Sequence, residues 1–206
     1  MTFLKDILTS QQIASLASMI SIGDATYKDL ISKDSFFSHP YSTDLRGRLR
    51  TKLVQMQCEI ESHSPDFPFE FSQRTFQFGQ CIPELRTKDL ILHIARSSNP
   101  DILPPISKYK LNLSNNNDSL QRQFMLDFDH LPSYSFAPFY GLVVFGGTDD
   151  IFAVIQFPEP GYFDIAESIK LPLDMPINQS EVKTFERKKA VLKEKILSSS
   201  GEEGIL

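Results

Sequence analysis

Phe139 to Phe157 is the stretch that most limits what this chain can become. Two apolar runs, Phe139–Phe145 and Ile151–Phe157, flank Gly146-Gly147-Thr148-Asp149-Asp150. A short Gly/Asp turn between apolar runs predicts a β-hairpin. Phe139, Val143 and Phe145 would point one way and Tyr140, Leu142 and Val144 the other, so both faces are apolar. A strand apolar on both faces belongs inside a sheet covered on both sides.

The elements that could provide the cover lie before and after it. Leu45, Leu49, Leu53, Met56 and Ile60 recur at helical spacing and predict a helix over Thr43–Ser62 with these five residues as its buried stripe. Ser10 reads as the N-cap of a short helix over Gln11–Ile20, with a second over Asp24–Ser32. From Pro68 the period changes from 3.6 to 2. Strands are expected over Pro68–Phe78 and Cys81–Ser97, with Asp89–Arg96 the most deeply buried. Asn99–Asp118 is rich in Asn and Pro and reads as a loop holding a short strand at Lys108–Leu113. A helix over Ser119–Phe128 would precede the hairpin. After it, Pro158-Glu159-Pro160-Gly161 is a turn, Tyr162–Leu173 extends the sheet or passes beside it, and Ser180 caps a last helix over Glu181–Leu197.

These elements define an α+β chain. Its antiparallel-dominated sheet, of roughly five to seven strands, is built around the central buried hairpin 139–157 and packed by N-terminal helices and a C-terminal helix. The expectation is a single domain over 1–197, helical over 1–62, sheet-forming over 68–173 and closed by the helix 180–197, with a disordered tail over 198–206.

No run approaches the roughly 18 consecutive apolar residues of a membrane helix. Met1–Leu8 has neither a basic start nor a long apolar stretch, so a secretory leader is not expected. Cys58 and Cys81 lack the spacing of a zinc or redox motif and read as free thiols, Cys58 off the apolar stripe. The chain therefore reads as cytoplasmic.

The net charge of −5 is unevenly distributed. Between Gln123 and Ser180 there are eight acids, Asp149 and Asp150 among them, against the single base Lys170, whereas basic residues collect in Arg46–Lys52 and Lys183–Lys195. Nucleic acid is the weaker expectation for a partner. Arg46 and Arg50 fall on one flank of the helical stripe and Arg48 and Lys52 on the other, and the pI near 5.4 lacks a dominant basic face.

Phosphate-loop, dinucleotide, nucleophile-elbow and zinc-protease motifs are absent from the sequence, which points away from an enzyme, and no cofactor is implied. Three constellations still suggest chemistry. Asp66 with Glu84 and Arg86 loosely resembles the acid pair and base with which a nuclease holds a divalent cation against a phosphate. Asp127, Asp129 and His130 would make hard-cation ligands if extended, and otherwise end a polar helix. Arg96, Asn99, Lys108, Lys110 and Asn112 concentrate hydrogen-bonding groups in one long connection, where binding residues tend to lie. His93, inside Ile-Leu-His-Ile-Ala, reads as a core-edge histidine.

The leading expectation is a cytosolic, non-enzymatic protein-interaction module, binding a partner through its acidic surface, with Asp149 and Asp150 at the leading edge, or through the polar 96–117 segment. Self-association, the basic C-terminal helix of one copy against the acidic face of another, is a variant of it. The alternatives are a divalent-metal nuclease or other nucleic-acid-processing protein, and a small-ligand-binding domain.

Overall fold

The computed structural model describes residues 4–76, 79–120, 137–147, 150–173 and 186–196. The fold is α+β. Six strands, β1 (Glu70–Thr75), β2 (Cys81–Arg86), β3 (Leu90–Arg96), β4 (Phe139–Gly146), β5 (Phe152–Pro158) and β6 (Ile165–Lys170), form one sheet in chain order. Every neighbouring pair is antiparallel except β3–β4, which is parallel. The expected hairpin is β4–β5, and every residue of β4 after Phe139 is buried. At its tip Gly147 has φ 88°, and a Cβ there would lie 1.9 Å from the Asp150 carbonyl oxygen, so the turn needs glycine. Tyr162–Leu173 does extend the sheet, as the edge strand β6.

The chain divides into two compact units, Met1–Leu16 with Pro68–Pro172, and Ala17–Phe67 with Leu173–Leu206. In the second unit the helices are α1 (Ser10–Lys33, which begins in the first unit), α2 (Ser35–Ser38), α3 (Thr43–Ser62) and α5 (residues 186–196). The two short N-terminal helices read from the sequence are one. Its start is a capping box one residue earlier than expected: the Gln12 amide donates to Thr9 Oγ1 at 3.2 Å, and the Thr9 amide donates to Gln12 Oε1 at 2.8 Å. Gly23 does not break it, because a Cβ there would sit 2.7 Å from a Val54 methyl. The glycine allows α1 and α3 to approach closely.

α3 has the expected bounds but a different buried face. Arg50, Leu53, Val54, Gln57 and Cys58 are buried, whereas Leu45 is exposed. Cys58 is therefore inside the packed stripe. Arg50 can face inward because Asp24 of α1 takes its guanidinium at 2.5 Å, with the Tyr27 ring 5.6 Å away. Arg46 likewise donates to the Phe37 carbonyl within the unit. The basic C-terminal helix is used in the same way. On α5, Lys188 pairs with Glu61, Lys189 and Lys193 with Asp29, and Lys195 with Glu59, around the buried Leu192. Hydrogen bonds from Lys193 and Lys189 hold the Asp29 carboxyl far below its ordinary range.

In the first unit the parallel β3–β4 pair requires a long crossover from Ser97 to Pro138. Its described part holds α4 (Lys108–Ser114) and a 3-10 turn (Asn115–Leu120). The expected strand at Lys108–Leu113 is a helix. Seven residues are too few for period 2 and period 3.6 to separate, and burial of Lys110 and Ser114, one turn apart, follows the helical period. Most of the expected helix Ser119–Phe128 lies outside the described residues.

The Asn run anchors this crossover. Asn117, fully buried, donates to the carbonyls of Tyr140 and Pro158 at 2.9 and 2.7 Å and accepts from the Tyr140 amide at 2.8 Å. Asn116 donates to the Pro138 carbonyl, and Asn115 accepts from the Gly161 amide. Asn117→Ala strands three buried backbone groups at about 1–3 kcal/mol each, so a loss of at least about 3 kcal/mol is expected in urea unfolding, against under about 1 kcal/mol for Asn115→Ala at its exposed position.

Candidate functional site

The buried polar residues of the strands, Glu84, His93 and Gln156, collect on one face of the sheet. Antiparallel pairing sets Arg74 opposite Ile82 and Ser72 opposite Glu84, and Glu84 lies opposite His93 on the next strand. Side chains alternate along a strand, so Arg74, Glu84, Arg86, His93 and Tyr140 share a face with the apolar cluster Ile91, Leu142, Val144, Val154 and Tyr162.

Glu84 is the centre of this group, 3% exposed. Its Oε2 accepts from Arg74 Nε and Nη2 at 3.0 Å and from His93 Nε2 at 2.8 Å, and its Oε1 accepts from Arg86 Nε and Nη2 at 2.7 and 2.5 Å. Burial pushes the carboxyl up, but the bonds from Arg86, His93 and Arg74 outweigh it and hold the group near 2. The ionised carboxylate can only accept, so His93 carries its proton on Nε2 and its Nδ1 accepts from the Tyr140 hydroxyl at 3.1 Å. Burial pushes the His93 imidazole down to about 4, against the pull of Glu84. Burial also raises Tyr140. His93 is 1% exposed and bonded at both ring nitrogens.

The network reaches the surface through Tyr109. Its ring meets His93 edge-on with centroids 5.3 Å apart, packs 5.0 Å from Phe76, and has the Arg74 guanidinium 6.0 Å away. Above it lies an open cleft of about 550 Å³ lined by Phe76, Gln80, Ile82, Ser107, Lys108, Tyr109 and Asn112. None of these seven residues carries a carboxylate, and Lys108 and Asn112 at the rim are exposed.

Glu84 and Arg86 join one ion-paired network, whereas Asp66 belongs to the other compact unit. Lys108 and Asn112 line the cleft. Lys110 is buried, donates to the Pro105 carbonyl at 2.7 Å beside the Tyr162 ring, and is pushed down to about 8 by burial. Arg96 and Asn99 are exposed, and the Asn99 side chain is spent on the Asp101 amide. Asp150 is exposed, while Asp127, Asp129, His130 and Asp149 lie outside the described residues. Among the described residues no group of three or more His, Cys, Asp or Glu side chains converges as a metal site. Burial pushes the Cys58 thiol up to about 12, far from a reactive thiolate. No described helix is long and apolar enough to cross a membrane.

Arg74, Tyr109, Phe76 and Tyr140 carried no motif. The available signal was one charged residue and one histidine in two otherwise apolar strands, Ile82-Pro83-Glu84-Leu85 and Leu92-His93-Ile94, which an antiparallel pairing can bring face to face. Comparison with protein-family models, curated proteins and solved structures returns no match to this chain.

Both depressed groups give stability the same pH dependence. Between about 6.5 and 4 the unfolded chain protonates His93 and the folded chain does not; between about 4.5 and 2 the same holds for Glu84. Their contributions are complete above pH 6.5 and are lost as pH falls through those windows. His93→Gln is expected to remove from the pH 6.5–4 limb a slope approaching about 1.4 kcal/mol per pH unit, read from urea unfolding at stepped pH. An unchanged limb would contradict the assignment.

Proposed function

We propose that the sheet unit is a non-enzymatic protein-interaction module and that a partner polypeptide docks at the cleft between α4 and the β1–β2 end of the sheet. The observation that carries this reading is the build of the cleft. Its aromatic floor, Phe76 and Tyr109, is held from below by His93 and Arg74, and its rim is exposed amide and ammonium groups. Rigid aromatic anchors ringed by solvated polar groups are the pattern of binding hot spots. Lys108 and Asn112 come from the polar 96–117 segment, which also exposes Ile102, Ile106 and Leu111. With Lys108 at the rim and Arg74 beside the floor, the complementary partner carries a carboxylate next to an apolar side chain.

The polar segment is favoured here over the acidic surface. Asp164 uses its carboxylate on the Ile165 amide, a local bond that leaves less for a partner. The saturation of Glu84 by two arginines and a histidine favours a structural role over general acid–base work for that residue. A small anionic ligand is the second reading, supported by a cleft volume in the range of such sites.

Selection of a displayed random-peptide library on the full-length chain tests the proposal. Enriched peptides are expected to pair Asp or Glu with an apolar residue, to bind at least tenfold more weakly to Lys108→Glu, and to be indifferent to Asp150→Lys. Enrichment lost in Asp150→Lys and kept in Lys108→Glu would move the reading to the acidic surface. Stabilisation by small carboxylates without peptide enrichment would move it to the small-ligand class.

A further inference from the structure

The two edges of the sheet are built differently. β6 is blunted: its pairing with β5 is broken by a register shift at Phe157/Pro158, it ends on Lys170, and Pro172 follows. Bulges, lysines and prolines are the usual means by which a sheet edge is kept from pairing with another chain. β1 has neither bulge nor lysine, and its nearest proline, Pro68, lies two residues before its start. Its sequence is Glu-Phe-Ser-Gln-Arg-Thr, its register with β2 is unbroken over all six residues, and each of its residues is exposed or half-exposed.

The direction of its free backbone groups follows from the ladder. The Phe76 amide donates to the Gln80 carbonyl at 2.8 Å, so in this antiparallel pair Phe76, Arg74, Ser72 and Glu70 turn their backbone groups toward β2. The N–H and C=O of Phe71, Gln73 and Thr75 then point outward, where no strand lies beside them among the described residues.

We propose that β1 is a self-pairing edge, taken up by β1 of a second copy of this chain. The second strand runs antiparallel about a two-fold axis at Ser72, normal to the sheet. Phe71 of each copy exchanges its backbone bonds with Gln73 of the other, and Ser72 faces its own counterpart. Side-chain charge selects this register. Glu70 and Arg74 lie on the same face of β1, and an axis at Ser72 sets each Glu70 opposite Arg74 of the second copy, giving two equivalent ion pairs. An axis one residue later, at Gln73, sets Arg74 opposite Ser72 and loses both pairs. Arg74 can serve two carboxylates because Glu84 takes only its Nε and Nη2, and a guanidinium has five donors. The result is an isologous dimer with one continuous sheet, and it shares Arg74 with the surroundings of the cleft.

Sedimentation equilibrium of the full-length chain, from low micromolar to submillimolar concentration, tests this. The wild type is expected to show a reversible monomer–dimer equilibrium. Gln73→Pro removes one outward amide without touching the bonds to β2, and Glu70→Arg sets like charges face to face; each is expected to weaken the dimer at least tenfold with an unchanged far-UV circular dichroism spectrum. Where Gln73→Pro does not fold, Glu70→Arg at its exposed position decides alone. A wild type that stays monomeric throughout, or a dimer that survives Glu70→Arg, overturns the proposal.

Discussion

A carboxylate buried on the second strand of a six-stranded sheet is the constraint around which this unit is arranged. Glu84 cannot remain ionised there without donors, and it takes them from three directions: Arg74 on β1, Arg86 on its own strand and His93 on β3. Each donor then has a restricted position. His93 must turn Nε2 to Glu84, which leaves Nδ1 for the Tyr140 hydroxyl, so the polar chain continues into β4. These side-chain links matter where the backbone is weak. Pro83 has no amide to donate, and the registered pairs of β2 with β3 begin only at Glu84.

The crossover that the parallel β3–β4 pair demands is held by a second polar set on the same face. Gln156 donates to the Pro100 and Ile102 carbonyls, Tyr162 to Pro104 and Lys110 to Pro105, while Asn117 bridges the ends of β4 and β5. An irregular, proline-rich segment cannot satisfy its own carbonyls, so side chains from the strands, the 160–162 turn and α4 reach over to do it. This packing also positions Tyr109 over His93 and so shapes the floor of the cleft. The binding surface proposed for the protein is thus the outer side of its polar core, which ties recognition to stability: residues that cradle a partner rest on residues that cannot be removed cheaply.

Parts of this were legible from the residues, and parts were hidden for definite reasons. The hairpin 139–157 could be read because its turn chemistry and its two-sided apolarity are local properties. The bounds of α3 could be read, but its buried face could not. Arg50 points inward because its partner, Asp24 of α1, meets it there, and an apolar count therefore selects the neighbouring stripe. Gly23 weakens a helix when seen in sequence and tightens one when seen against Val54. The Asn run is indistinguishable from a solvated loop until the backbone groups it serves, at 138–161, are known. In the site, the polar segment 96–117 drew attention by composition, and Lys108 and Asn112 do line the cleft. The aromatic residues Phe76 and Tyr109 could not be found that way, since an aromatic in a strand or a short helix usually signals core.

The claim on which the account rests is that Glu84 and His93 are a fixed, buried pair with one protonation pattern. Nitrogen-15 NMR of the His93 imidazole measures this directly. The account predicts a neutral ring at pH 7, protonated on Nε2 with Nδ1 as acceptor, and a pattern that persists on acidification until the pH approaches about 4. An imidazolium at pH 7, the opposite tautomer, or rapid exchange between the two would contradict it.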